Sequence, residues 1–330
     1  MSRHVVVIGG GSTAEHEVSL ATAAAVERAL HANGFTVTSA TIGRDGRWSQ
    51  DAAPLGATPS DSLSAALPLI EQADVVFPAI HGVGGEDGTL AALCALLHKP
   101  VVGSGLRAGA IGMDKWATKA AAQALGIRTA PGRLITAEAV EDVALERPVV
   151  VKPASAGSSY GVGLAEDAAQ FRAALAEARR YDDRILVEDV VVGREIDVAV
   201  LREADGRTWA PPPLEIHAQG LFDTATKYDG SARFVVPADL TEADCAALTR
   251  AALALFDALG CAGVARLDFF LTQNGPVLNE INTMPGMTAE SQVPRMFAAA
   301  GVGYEDLVTR LVDAATVPAA PGTVFSPDRG

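Results

Sequence analysis

The chain reads as an α/β unit on a parallel sheet followed by α+β units, and three observations carry that reading. Its 330 residues exceed what one hydrophobic core usually holds, so two or three domains are expected. The first hundred residues alternate short β-branched runs with helical stretches, the order that lays crossover helices on a parallel sheet. From Arg147 the order changes to strand, glycine-rich loop, strand, helix and strand, which is an α+β pattern.

Val5 to Ile8 is the first strand, Glu15 to Ala32 the first helix and Phe35 to Ile42 the second strand; Val75 to Ile80 is a further strand and Gly88 to Leu97 its helix. From Val101 to about Leu125 the chain is rich in small residues and reads as a connection leading into a helix near Lys115 to Leu125. A second domain begins there. Pro148 to Lys152 is a strand, Ala154 to Gly161 a loop, Asp167 to Arg179 a helix and Arg184 to Val187 a strand. Strands follow at Glu195 to Leu201 and Thr208 to Ile216, then a polar loop, a helix from Thr241 to Leu259 and strands at Gly263 to Leu271 and Pro276 to Asn282. Helices near Val293 to Ala300 and Tyr304 to Ala315 close the fold, and the tail after Pro318, with its Pro, Gly and Ser, reads as loose.

Composition narrows the function. Hydrophobic residues make up 49% of the chain and charged residues 20%, which excludes a disordered chain, and no run approaches ~20 apolar residues, which excludes a spanning helix. Forty acidic against 26 basic residues give a net charge of -14, so nucleic acid and acidic membranes are poor partners. A nucleotide is not excluded, because a few cationic side chains vanish into that total. Cys94, Cys245 and Cys261 have no CxxC spacing, so neither a disulfide framework nor a zinc site is indicated. The apolar run Val5 to Ile8 is too short for a signal peptide, and a cytoplasmic location is expected.

Gly9, Gly11 and Ala14 match the G-x-G-x-x-[GA] dinucleotide pattern, but the next strand ends at Ile42 without the acid that would hold a ribose; Asp45 lies beyond it. A tight strand-to-helix turn explains the glycines better. It does not explain Ser12 to Glu17, whose acids either complement the helix dipole or rim a substrate site. His81 to Gly88 follows an apolar strand, where a parallel sheet places ligands, although Glu86 and Asp87 also suit a helix start. Lys152 at a strand end, followed by Gly and Ser, suits phosphate oxygens or an ordinary hairpin. Arg266 and Asp268 share one strand face, as do Glu280 and Asn282 on the next strand. Two carboxylates and an amide form an oxygen site for Mg²⁺, whose remaining positions take water and phosphate. The alternative is a metal-free salt bridge to Arg266.

Together these residues resemble the ATP-grasp superfamily and, closely, its D-alanine:D-alanine ligases. The resemblance rests on Gly10 to Leu20, His81 to Gly88, Met113-Asp-Lys115, Lys152-Pro with Gly157-Ser-Ser159, Thr226-Lys-Tyr228, Arg266-Leu-Asp268 and Asn279 to Thr288. It implies a three-domain ATP-grasp architecture with an N-terminal parallel-sheet, Rossmann-like domain at 1–102, a central lobe at 103–190 and a C-terminal lobe at 191–330 with a lid loop at 217–233. Lys115, Lys152, Ser158 and Lys227 would meet the phosphates of ATP, Glu188, Val190 and Val191 the adenine, and Glu195 the ribose. Asp268, Glu280 and Asn282 would carry two Mg²⁺ ions, with Mn²⁺ as a substitute. Glu15, with His81 beside it, would bind the first D-alanine's ammonium. Arg266 and the Gly286 N–H would stabilise an oxyanion, Ser291 and Ser158 would address the second D-alanine, and Glu15, Ser158 and Tyr228 would form one hydrogen-bonded set.

The reaction so implied is ADP-forming synthesis of D-alanyl-D-alanine for peptidoglycan precursors, in a homodimer. The chain departs from the family at Ala91-Ala92, where Gln-Gly is usual, at Phe222, where tyrosine is common, and at Gln292, where an apolar residue is usual. Retention of Lys227-Tyr228 favours an amine acceptor. The nearest rival keeps the chemistry and changes the acceptor to D-lactate, D-serine or a specialised substrate.

Overall fold

Val5 to Ile8 are buried on both faces, as a parallel strand covered by helices requires. They lie in β1 (His4–Gly10), which pairs in parallel with β2 (Thr36–Ile42) and β5 (Val75–Pro78). The structure is a computed structural model and describes residues 2–136, 145–217 and 233–317. A short antiparallel edge, β3 (Trp48–Gln50) and β4 (Ala53–Pro54), completes the sheet in the order β4-β3-β2-β1-β5. Helices α1 (His16–Ala32) and α2 (Pro59–Gln72) connect its strands, and α3 (Thr89–Leu96) follows β5. The turn into α1 is tight: a Cβ at Gly10, whose φ is +85°, would sit 2.3 Å from the Ile42 carbonyl.

The connection expected over 101–125 contains a helix, α4 (Leu106–Met113), before α5 (Lys115–Ala124). Gly109 and Gly112 mask it, since glycine weakens a helix interior. Their lack of a side chain serves packing instead. A Cβ at Gly109 would lie 2.6 Å from the Glu86 carbonyl oxygen, and one at Gly112 would lie 2.9 Å from Thr283 Cγ2.

A four-stranded antiparallel sheet follows, in the order β6-β9-β7-β8, from β6 (Gly132–Thr136), β7 (Val149–Pro153), β8 (Gly163–Ala165) and β9 (Arg184–Asp189). It is covered by α6 (Ala168–Ala178), capped by Asp167, through Phe171 and Leu175. The last sheet has β10 (Arg194–Arg202), β11 (Thr208–Trp209), β12 (Leu214–His217), β13 (Arg233–Val235), β14 (Val264–Thr272) and β15 (Gly275–Asn282). Its order is β13-β12-β10-β14-β15, with β11 on β10. The single strand expected over 208–216 is divided by Pro211 to Pro213, which lack the N–H a ladder needs. Helix α7 (Glu242–Leu259), capped by Thr241, packs Leu255 and Phe256 in one core with Leu267 and Phe269 of β14. Helices α8 (Gln292–Ala299) and α9 (Tyr304–Asp313) share a core with Val5, Val7 and Phe77 of the first sheet. Among the described residues no helix is long and apolar enough to cross a membrane.

His81 ties the two ends of the chain together. Its Nδ1 donates to the Met284 carbonyl at 2.8 Å, its Nε2 accepts from the Thr22 hydroxyl at 2.8 Å, and its N–H donates to Ser19 Oγ at 3.0 Å. A carbonyl can only accept, so the ring is the neutral Nδ1–H tautomer. Burial pushes its pKa down to about 4, against an upward pull from the Met284 bond and with a smaller downward push from Arg266. The folded chain thus binds a proton at His81 less readily than the unfolded chain, and this contribution to stability is complete above pH ~6.5 and fades as pH falls towards 4. Urea unfolding at pH 7 and pH 4.5 is expected to show roughly 2–3 kcal/mol more acid sensitivity in the parent than in His81→Asn. Equal pH dependence in both proteins would refute this account.

Candidate active site

Strand β14 alternates buried Ala265, Leu267, Phe269 and Leu271 with Arg266, Asp268 and Phe270 on the opposite face, the period of two that aims polar groups away from a core. Arg266 Nε and Nη2 donate to both oxygens of Asp268 at 2.7 and 2.8 Å, and Asp197 of β10 lies 3.4 Å from Nε. Burial acts to lower the guanidinium pKa, but Asp268 and Asp197 outweigh it and hold the group charged above its ordinary value. Across the ladder Asp268 faces Glu280 and Arg266 faces Asn282. A register shift between Asp268 and Phe269 makes Asn279 the extra residue. Such a bulge re-aims side chains, and Asn279 and Glu280 both line the same cavity.

Asp268 and Glu280 therefore stand opposite one another on paired strands, and Asn282 Nδ2 donates to Asp268 Oδ2 at 3.1 Å. Among the described residues no three His, Cys, Asp or Glu side chains gather for a metal, so the set is two carboxylates and an amide. That oxygen chemistry fits Mg²⁺, which takes one or two carboxylates and completes its shell with phosphate and water.

Three lysines face this cluster. Lys115 Nζ lies 3.1 Å from Glu280 and donates to the Ala156 carbonyl at 2.7 Å. Lys152 Nζ lies 2.6 Å from Glu188 and donates to Asn279 Oδ1 at 3.0 Å. Lys119, one helical turn after Lys115, forms an ion pair with the other oxygen of Glu188. Burial acts to raise Glu188, but the two ammonium groups outweigh it and hold the carboxylate below its ordinary range. Burial and then Lys152 push Lys119 down.

Glu15 is the N-cap of α1, yet its side chain makes no capping bond. It accepts from Ser158 Oγ across the gap to the four-stranded sheet. The dipole reading fits Glu17 better, which pairs with Arg44 on the surface at 3.3 Å. Gly82 and Gly157 make room for the carboxylate: a Cβ at either would lie 2.5 or 2.6 Å from Glu15 Oε2. Ser158 and Ser159 have φ of +48° and +57°, a conformation costly for side-chain-bearing residues and typical of functional loops.

After β15 the chain turns through Gly286 to Ser291, whose hydroxyl meets Thr288 Oγ1 at 2.8 Å. Arg266 Nη1 donates to Gln292 Oε1 at 2.6 Å. Glu15, His81, Ser158, Arg266, Gly286 and Ser291 line one cavity of about 270 Å³, with Glu86, Asn282 and Gln292. Lys115, Lys152, Glu188, Val190, Val191, Glu195, Asp268 and Glu280 line a second, of about 460 Å³. Arg266 borders both. Lys227, Tyr228, Phe222 and nearly all of the lid lie outside the described residues. Sequence reasoning gave no role to Lys119, Asp197 or Asn279, and for Glu86 it left a ligand site or a helix start open. Lys119 was findable four residues after Lys115, on the same helix face; Asp197 carries no local signal.

Two family models match the chain: "D-ala D-ala ligase N-terminus" over residues 4–104 and "D-ala D-ala ligase C-terminus" over residues 126–313. Proteins named D-alanine–D-alanine ligase are 39% identical in Mycobacterium sp. (strain KMS), covering 94% of this chain and 95% of the relative. The same name is carried by a relative in Streptomyces coelicolor, 39% identical over 94% of this chain and 92% of its own. A solved D-alanine-D-alanine ligase from Coxiella burnetii superposes with a TM-score of 0.78 at 29% identity, covering 95% of this chain and 93% of that one. The VanG D-Ala:D-Ser ligase from Enterococcus faecalis gives 0.78 at 28% identity, with 94% and 99% covered. The chain therefore belongs to the D-alanine:D-alanine ligase family, whose fold is the ATP-grasp.

Proposed function

We propose that this chain is an ADP-forming ligase that joins two D-alanines through an acyl phosphate and supplies the dipeptide for peptidoglycan precursors. The observation that carries this is the meeting of two cavities at Arg266, one rich in lysine and paired carboxylates, the other holding Glu15, Ser158, Gly286 and Ser291.

Lys115 and Lys152 meet the phosphates of ATP, joined by Lys227 from the lid over 217–233. Glu188, taken up by two lysines, orients Lys152, while the backbone at Val190 and Val191 faces adenine and Glu195 the ribose. Asp268, Glu280 and Asn282 would hold two Mg²⁺ ions, or Mn²⁺ in their place, and the metal would supply charge neutralisation on the transferring phosphoryl group. Glu15 holds the ammonium of the first D-alanine, so that its carboxylate points towards Arg266. Phosphorylation converts that carboxylate from a poor electrophile into a good one. Attack by the second amine builds an oxyanion that Arg266 and the Gly286 N–H stabilise until the C–O bond to phosphate breaks, releasing inorganic phosphate and leaving the amide. Ser291 and Ser158 hold the second D-alanine, Tyr228 completes the set with Glu15 and Ser158, and the lid excludes water from a hydrolysable intermediate. The three lobes are divided at 102 and 190, and the working form is a cytoplasmic homodimer.

A second reading, with a polar acceptor such as D-serine, is favoured by Gln292 in the substrate cavity. ATP-dependent phosphate release, measured on D-alanine alone and then with D-lactate, D-serine or L-amino acids added, decides between them. Turnover on D-alanine alone is expected; none would sink the main reading.

The Glu188 clamp gives a second prediction. Glu188→Gln leaves two buried ammonium groups without their anion, and loss of about 3–5 kcal/mol is expected in urea unfolding without nucleotide. Saturating ATP should narrow the gap, because phosphate oxygens replace the missing charge. An unchanged unfolding midpoint in the absence of ATP would contradict this.

A further inference from the structure

Glu86 lies in the turn between β5 and α3, where its sequence position suits a helix start, but its side chain is used otherwise. One carboxyl oxygen accepts from Gly82 N–H at 2.7 Å and the other from Met284 N–H at 3.4 Å. The Thr283 hydroxyl donates to the Glu86 carbonyl at 3.0 Å, and His81 Nδ1 donates to the Met284 carbonyl at 2.8 Å. One turn of the first sheet thus grips both the N–H and the C=O of Met284, together with the side chain of Thr283. Helix α4 backs the same contact, with Gly109 against Glu86 and Gly112 against Thr283.

The gripped residues stand between two functional groups. Asn282 precedes Thr283, and Gly286 follows Met284 by two residues, so a shift of this segment moves the amide near Asp268 and the oxyanion donor together. Glu86 itself faces the cavity that holds Glu15 and Arg266. Burial first and the Glu15 carboxylate second push its pKa up to about 8.

We propose that Glu86 is a positioning residue for acyl transfer, gripping the Thr283–Met284 segment so that Gly286 N–H stands in register with the donor amino acid held at Glu15. This rests on the reaction proposed above. The grip acts through geometry, where a displacement of about 1 Å can cost on the order of a hundredfold in rate.

The test is steady-state dipeptide synthesis by the full chain and its Glu86→Ala and Glu86→Gln variants, with ATP KM and thermal midpoint measured alongside. Glu86→Ala is expected to lower kcat by about 10- to 100-fold with ATP KM within about twofold of the parent. Glu86→Gln keeps one oxygen for one of the two N–H groups and turns a donor towards the other, so it should recover only part of the loss. Unchanged kcat in Glu86→Ala would overturn the proposal. If Glu86→Ala does not fold, Thr283→Val removes one hydroxyl of the grip: lowered kcat at unchanged ATP KM supports it, and unchanged kcat overturns it. A parent inactive on D-alanine fails the reaction and the grip's role together; an active parent with an unaffected Glu86→Ala fails the grip alone.

Discussion

The pairing of Arg266 with Asp268 on β14 is the constraint around which the site is built. A guanidinium that is only 13% exposed must be surrounded by anions, because removing a charge from water is costly unless it is paired and hydrogen-bonded. Asp268 supplies one partner two residues along the same strand, and Asp197 supplies another from the neighbouring strand, directly across from Asp268. Holding these groups in place requires a rigid strand, and the opposite face of β14 provides it by burying Leu267 and Phe269 against α7. Core packing on one face and chemistry on the other are thus two consequences of one period-two sequence.

The charge balance follows from the same constraint. A net charge of -14 disfavours nucleic acid, yet Lys115, Lys119, Lys152 and Arg266 lie within one cavity, each beside a carboxylate. Before ligands bind, the cations and anions neutralise one another. Nucleotide and metal bring opposite charges in their turn, so each ligand replaces partners that the protein already supplies. Long-range attraction matters less here than the exchange of one set of ion pairs for another.

How much of this was legible depends on how local the signal is. The face shared by Arg266 and Asp268 needs only strand periodicity, and the opposing pair Glu280 and Asn282 needs only the next strand. Asn279 needs the bulge, which no rule of alternation gives. Helix α4 was hidden because Gly109 and Gly112 are chosen for close approach to Glu86 and Thr283 rather than for propensity. Glu15, Glu17 and Glu86 look alike as acids near helix starts, but one faces Ser158, one an exposed arginine and one a backbone over 190 residues away. Such partners are set by tertiary contact. The motif resemblance gave the family and fold, while the roles within the site depend on geometry that the motifs alone do not contain.

Gln292 shows how a single departure can alter a site without disturbing its frame. An apolar residue there would leave Arg266 Nη1 to water or substrate, whereas the amide oxygen accepts from it at 2.6 Å. The guanidinium is then fixed by three side chains rather than two. Because the oxygen is committed to Arg266, the amide nitrogen is the end left to address the substrate cavity, and nitrogen can only donate. A polar acceptor side chain gains from such a donor, while the methyl of D-alanine neither gains a bond nor leaves a buried acceptor unmet. The substitution thus adds a hydrogen-bonding end to the substrate cavity at Arg266, the side chain that borders both cavities.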